Sequence, residues 1–304
     1  ETLATTNDES EIIEKIDIGG ISLIRAAAKN FRDVLIVPSM DHYGELIGLL
    51  KKNGARTSLD DRKRFAAYAF DVSSHYDTAI HGYFAGDGGS FKVSCREPNP
   101  LRYGENPHQQ GIFFGDLDKV FSQLHGKAIS YNNLGDLDAA LGLIGEFEET
   151  TFAILKHNNA CGIASRPVLL DAWKDALAGD PVSAFGGVLA TNIPIDEETA
   201  VEIDKLFFEI IIAPSYASGA LEALKSKKNR IILEQKDTTF PRKTFRSILN
   251  GVIVQERDLN TETAGDLRVV TEKMPGKEEI DDLLFANKVV KHTRSNAIVL
   301  AKNK

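Results

Sequence analysis

The chain has 304 residues, 42% hydrophobic and 26% charged, a composition that suits a globular protein with room for two domains. Its formal charge of −8 arises from 44 acidic and 36 basic residues interspersed throughout, so no basic stripe marks a nucleic-acid binder, and an anionic substrate would need a local cationic pocket. No apolar run approaches the roughly 20 residues that span a bilayer, and no basic-then-apolar leader is present. Cys95 and Cys161 lie too far apart to suggest a disulfide framework or paired metal ligands, so the expected compartment is a reducing cytoplasm.

Helical and strand patterns alternate along the chain, which predicts α/β layers. Thr6-Asn7-Asp8-Glu9 reads as a capping box before a helix carrying Ile12, Ile13 and Ile16. A second helix is expected over residues 21–29 after Gly19-Gly20, then a buried strand over 34–37, and helices over 43–52 and 60–84. The glycine-rich stretch from Gly86 to Ser90 is the best linker candidate, placing a domain boundary between it and Pro100. Beyond it, strands are expected over 111–114, 151–155, 187–190, 210–213 and 230–233, with helices over 134–147, 167–177 and 278–291. The chain opens at Glu1 without a methionine and stops at Lys304 just after a strand-like run over 297–301, as expected of a fragment.

Five clusters could carry chemistry. In Asp17-Ile18-Gly19-Gly20, with Arg25 and Lys29 one helix face behind, exposed backbone N–H groups at a helix start would favour an anion; a tight turn before an ordinary surface helix is the plain alternative. Residues 101–109, Leu-Arg-Tyr-Gly-Glu-Asn-Pro-His-Gln, have no regular period, and Arg102 offers a phosphate fork beside the flat face of Tyr103, or else the loop only satisfies its own backbone. Lys156-His157-Asn158-Asn159-Ala160-Cys161-Gly162 follows a strand directly: His157 can exchange a proton and Lys156 can stabilise an oxyanion, against the reading of a polar surface loop. Cys161 reads as a buried structural thiol. Residues 180–187, ending in Gly186-Gly187, suit backbone packed closely on a ligand, or a tight loop. Finally, Lys291-His292-Thr293-Arg294-Ser295-Asn296 joins a helix to the last expected strand, and Asn296 could read an amide or ring nitrogen, although C-capping is the usual role of such a residue. The chain lacks the H-x-E with P-C-x-x-C that a zinc deaminase would need, and it lacks G-x-G-x-x-G and the P-loop pattern, so dinucleotide and P-loop nucleotide binding lose support.

Taken in order, the stretches IDIGG…RAAAKN (16–30), LRYGENPHQ (101–109), SYNNLGDLDAA (130–140), LKHNNACG (155–162), DPVSAFGG (180–187), IIIAP (210–214) and SNAIVLAKN (295–303) resemble the bifunctional AICAR transformylase/IMP cyclohydrolase family. The resemblance implies a methylglyoxal-synthase-like N-terminal part, over residues 1–90, completing a cyclohydrolase domain. A cytidine-deaminase-like α/β unit of the transformylase would follow over 91–304. By the same resemblance, Asp17 and Lys29 match cyclohydrolase positions, Lys156 and His157 the transformylase catalytic pair, and Arg102, Tyr103, His108, Gly186, Glu209 and Asn296 positions at the ribotide site. The implied ligands are AICAR, FAICAR and IMP, with 10-formyltetrahydrofolate as cosubstrate, no metal, no membrane and a homodimer. Ala160 stands where bacterial relatives usually carry proline, which is expected to loosen the loop beside His157, and Glu209 where some carry aspartate. The fragment is expected to be inactive alone. A rival expectation is a non-catalytic ribotide binder or assembly protein; a methylglyoxal-synthase-like lyase would need a phosphate loop that is missing.

Overall fold

The computed structural model describes residues 2–86, 89–236 and 239–304, and it divides into two compact units, Glu1–Arg96 and Glu97–Lys304. Of the linker candidate, Asp87 and Gly88 lie outside the described residues.

The first unit is helical among its described residues: α1 (Thr2–Thr5), α2 (Glu9–Glu14), α3 (Gly19–Lys29), α4 (Tyr43–Asn53) and α5 (Leu59–Ala85). The start of α2 is not the expected box. Asp8 is the cap, accepting from the Ser10 and Glu11 N–H groups, and Thr6 Oγ1 instead accepts from Asp8 N–H. A true capping box opens α5, where Ser58 and Asp61 exchange hydrogen bonds. Helix α3 packs on α5 through Ala28, Ala66 and Ala69, small side chains that let two helices approach closely. The strand expected over 34–37 does not form. Those residues are apolar and partly buried, but no described residue of the unit forms a neighbouring strand, and an apolar run becomes a strand only by pairing.

The second unit is built on a six-stranded sheet of order β3-β8-β7-β6-β4-β5. Its strands are β3 (Phe121–His125), β4 (Thr151–Lys156), β5 (Asn159–Ser165), β6 (Val188–Thr191), β7 (Ile210–Ala213) and β8 (Ile231–Gln235), numbered after a small antiparallel pair, β1 (Pro98–Pro100) with β2 (Ile112–Phe114). Strands β6, β7 and β8 are parallel and joined by α8 (Glu197–Asp204) and α9 (Ser218–Leu224), whereas β3, β4 and β5 pair antiparallel. These crossover helices cover one face of the sheet and other helices cover the second, which is why the central strand β7 is apolar at every position.

The period of 2 survives inside these runs. Ala153, Leu155, Ile210, Ile212, Ile231 and Leu233 face one layer, with Leu137, Leu141 and Ile144 of α6 (Tyr131–Ile144) and Phe285 and Val289 of the last helix. Phe152, Ile154, Leu189, Ile211 and Ile232 face the other, with Trp173 of α7 (Leu169–Gly179), Ile203 of α8 and Leu224 of α9. The result is three layers, helix on sheet on helix. Beyond the sheet lie the hairpin β9 (Lys243–Ile248) with β10 (Gly251–Glu256) and the helix α10 (Lys277–Lys291). The strand expected over 297–301 is absent: these residues pair with no strand, and only Val299 and Ala301 turn toward the core.

Candidate functional site

The segment carrying Lys156 and His157 is the tip of a hairpin. Lys156 and Asn159 are the last paired residues of β4 and β5, so His157-Asn158 form a two-residue turn with φ of 53° and 65°. Positive φ at both central residues is the turn whose twist matches antiparallel strands, and it usually carries Asn-Gly. Here neither residue is glycine, so other contacts must hold the conformation. The Asn158 N–H donates to Asp136 Oδ1 at 2.7 Å, and Asn159 Nδ2 donates to the His157 carbonyl oxygen at 3.1 Å. The His157 side chain is exposed. Ala160, expected to loosen this loop, is a paired β5 residue opposite Leu155.

Lys156 is partly buried and donates Nζ to the Phe185 carbonyl oxygen at 2.8 Å, which sets its ammonium beside the 180–187 loop. In that loop Gly186 has φ of +74° and donates its N–H to the Phe207 oxygen at 2.8 Å. A Cβ on Gly187 would stand 2.9 Å from the Leu155 oxygen, so glycine is needed for the loop to lie against β4.

Helix α6 ties these pieces to the Arg102 loop. That loop closes on itself through Leu101 N–H to Gly111 O and Gly104 N–H to Gln109 O, and it docks on the start of α6 through Arg102 N–H to Ile129 O and Tyr131 N–H to Tyr103 O. The Arg102 guanidinium lies over the Tyr103 ring, 4.6 Å from its centroid, and donates Nη2 to the Tyr103 hydroxyl at 2.8 Å. One turn further, Asn133 Nδ2 donates to Glu209 Oε2 at 3.0 Å, while Lys127 Nζ reaches Glu209 Oε1 at 2.9 Å. Asp136 follows three residues after Asn133 and so shares its face of the helix.

Burial pushes the Glu209 carboxyl up, but hydrogen bonds from Lys127 and Asn133, and the charges of Lys127 and Arg102, outweigh it and hold Glu209 below the usual range. Asp136 goes the other way. Burial and the neighbouring Glu209 charge raise it, against the Asn158 N–H and the charges of His157 and Arg294. Sequence reasoning passed over Lys127 and gave no role of their own to Asn133 and Asp136, which fall in the stretch 130–140, or to Arg294, which falls in the cluster 291–296.

Helix α6 thus links the turn carrying His157, through Asp136, to Glu209, through Asn133, and to the Arg102–Tyr103 loop, through Tyr131, while Lys156 and Gly186 lie at the adjoining ends of β4 and β6. Asn296 is exposed, but the nearby Arg294 donates its N–H to Asn159 Oδ1 at 2.9 Å, which joins its segment to the hairpin; the C-cap of α10 is His292, not Asn296. His108 sits exposed in the Asn106–Gln109 turn, with no side-chain hydrogen bond among the described residues. Cys161 is partly buried, donates Sγ to the Ile154 oxygen, and has its thiol pushed up by burial, so it is a packing residue and not a ready nucleophile.

In the first unit the anion site expected at Gly19-Gly20 is filled by the chain itself. Asp17 accepts from Gly20 N–H at 3.1 Å and Ile21 N–H at 2.8 Å, and a Cβ on Gly20 would press on that carboxylate. Asp17 and Lys29 are not brought together: they stand at opposite ends of α3, separated by roughly 15 Å of helix at 1.5 Å per residue. Arg25 donates to Ser73 Oγ, and Lys29 is exposed.

Residues 27–304 match the family model described as AICARFT/IMPCHase bienzyme. Among curated proteins, the bifunctional purine biosynthesis protein PurH of Bacteroides thetaiotaomicron is 62% identical over 304 residues, covering 100% of this chain and 60% of the relative. The proteins of the same name from Acetivibrio thermocellus and Rhodospirillum rubrum are 43% and 44% identical, covering 98% and 96% of this chain and 61% and 58% of their own lengths. The chain therefore spans about 60% of the length of the curated relatives it matches. Among the described residues no helix is long and apolar enough to cross a membrane.

Proposed function

Since the chain belongs to the AICARFT/IMPCHase bienzyme family, we propose that the complete protein formylates AICAR with 10-formyltetrahydrofolate and closes FAICAR to IMP, and that the second unit here carries the ribotide half of the transformylase site. The observation that supports this best is that α6 links the turn carrying a proton-exchanging His157, through Asp136, to the loop carrying an aromatic-stacked Arg102, through Tyr131. In a chain of net charge −8, Arg102 and Lys127 act on Glu209 and Arg294 acts on Asp136, which supplies local positive charge of the kind an anionic ribotide requires.

Arg102 takes the ribotide phosphate through its fork, and the Tyr103 face covers apolar surface of the ligand. The 5-amine of AICAR is a poor nucleophile because its lone pair is delocalised into the ring and carboxamide. His157 accepts the amine proton, directly or through the carboxamide, as the new C–N bond forms. Lys156, fixed by the Phe185 oxygen, stabilises charge on the formyl oxygen or assists the leaving nitrogen. Asn296 orients the carboxamide from the segment anchored at Asn159.

For ring closure the first unit contributes Lys29 as the oxyanion-stabilising cation, with Asp17 acting first as the cap that shapes the start of α3. The finer likenesses, to methylglyoxal-synthase folds for the first unit and deaminase folds for the second, and a homodimeric assembly, belong to this same reading. His157→Ala in the complete protein tests it: formyl transfer falls by about 10²–10⁴, the usual contribution of a general base, and a loss below about tenfold removes His157 from that role.

A further inference from the structure

The turn that presents His157 uses two non-glycine residues at positive φ, which the backbone alone does not favour. Three contacts grip it. From within, Asn159 Nδ2 donates to the His157 oxygen; from the segment after α10, the Arg294 N–H donates to Asn159 Oδ1; and from α6, Asp136 accepts the Asn158 N–H at 2.7 Å. The last is the shortest and the only one that engages a turn N–H with a carboxylate, the stronger kind of hydrogen bond. Gly135 keeps the space clear, since a Cβ there would stand 3.1 Å from Asn158 Nδ2. Asp136 is partly desolvated, and burial raises its carboxyl, a cost that a helix serving only as scaffold would avoid by exposing it.

We propose that Asp136 is a positioning residue for the formyl-transfer chemistry: by accepting the Asn158 N–H it fixes the left-handed turn that aims His157 at the ribotide. Asn133, on the same face of α6, holds Glu209, so one helix sets the spacing between the ribotide-binding groups and the proton acceptor. The inference rests on the function proposed above and adds to it a residue that touches neither substrate nor reacting atoms.

The test is steady-state kinetics of the complete protein with AICAR for Asp136→Ala, Asp136→Asn and Asp136→Ala/Asn158→Gly, beside His157→Ala. Asp136→Ala lowers kcat by about tenfold to a hundredfold while KM for AICAR moves less than about threefold, the signature of a displaced catalytic group on an intact binding site. Asp136→Asn recovers most of the loss, because its amide oxygen accepts the same N–H. Glycine at 158 recovers part of it by adopting positive φ unaided. An unchanged kcat in Asp136→Ala overturns the inference, as does an Asn variant as damaged as Ala, or a parallel loss of ribotide binding and thermal transition that marks a purely structural role. If His157→Ala retains formyl transfer, the functional reading falls with it; if His157→Ala is inactive and Asp136→Ala is not impaired, only this inference falls.

Discussion

The backbone N–H of Arg294 donates to the side-chain oxygen of Asn159 at 2.9 Å, across 135 residues of sequence. This bond joins the hairpin that bears His157 to the segment that bears Asn296. Asn159→Ala removes it, and with it the Asn159 contact to the His157 oxygen. Each net hydrogen bond contributes about 0.5–1.5 kcal/mol, so AICAR affinity measured by calorimetry drops about twofold to tenfold. Unaltered affinity would show that the two segments are positioned independently.

The hairpin also depends on Gly162. A Cβ added there would collide with the backbone oxygen of Ala176 in α7, which no rotamer change can relieve. Gly162→Ala forces β5 away from α7 and destabilises the second unit by about 2–3 kcal/mol in chemical denaturation. A shift under about 0.5 kcal/mol would mean that the strand and helix separate without cost.

Core packing gives a larger effect. Phe152 is fully buried and meets Trp173 edge-on with ring centroids 5.0 Å apart. Phe152→Ala costs about 3–5 kcal/mol. Leu249, 99% exposed at the tip of the β9–β10 hairpin, serves as the control, with Leu249→Ala within about 0.5 kcal/mol of the parent.

Acid acts through Glu146. Burial pushes its carboxyl up, but hydrogen bonds from Lys291, His292 and Thr261 and the Lys291 charge outweigh it and hold it below its ordinary value of 4.5. With the folded value depressed, the unfolded chain takes up the proton first as pH falls. The stability that ionised Glu146 contributes is fully present above the ordinary range and is lost as pH falls through the depressed value. Tm therefore declines with acid in that window, and Glu146→Gln removes part of the slope. An identical Tm–pH profile in the variant would refute the assignment.

The central strands were legible in the sequence because burial on both faces leaves continuous apolar runs, as at Ile210–Ala213. Strand β5 was not, because Asn159–Ser165 is a run of mostly small side chains with a single β-branched aliphatic, Ile163, and owes its pairing to β4. The β9–β10 hairpin was missed although Asn250-Gly251 is the dipeptide that usually announces such a loop; in the structure the turn is Leu249-Asn250 and Gly251 is already paired, opposite Ile248. Conversely, the apolar runs over 34–37 and 297–301 read as strands but find no neighbour. At the site, Lys156, His157 and Arg102 stood out by residue type and crowding. Asp136 and Lys127 did not, because their importance comes from which atoms they reach across the fold: the Asn158 N–H in one case and the Glu209 carboxylate in the other.

The most direct measurement of the central claim is calorimetric titration of AICAR into the folded chain and into its Lys156→Ala/His157→Ala double variant, with far-UV circular dichroism confirming that both are folded. The account predicts binding by the parent chain that weakens about tenfold or more in the variant, as expected when about 1.4 kcal/mol or more of contact is removed. Equal affinity in the two folded proteins would contradict it, since the ribotide would then sit away from the hairpin around which the site is built.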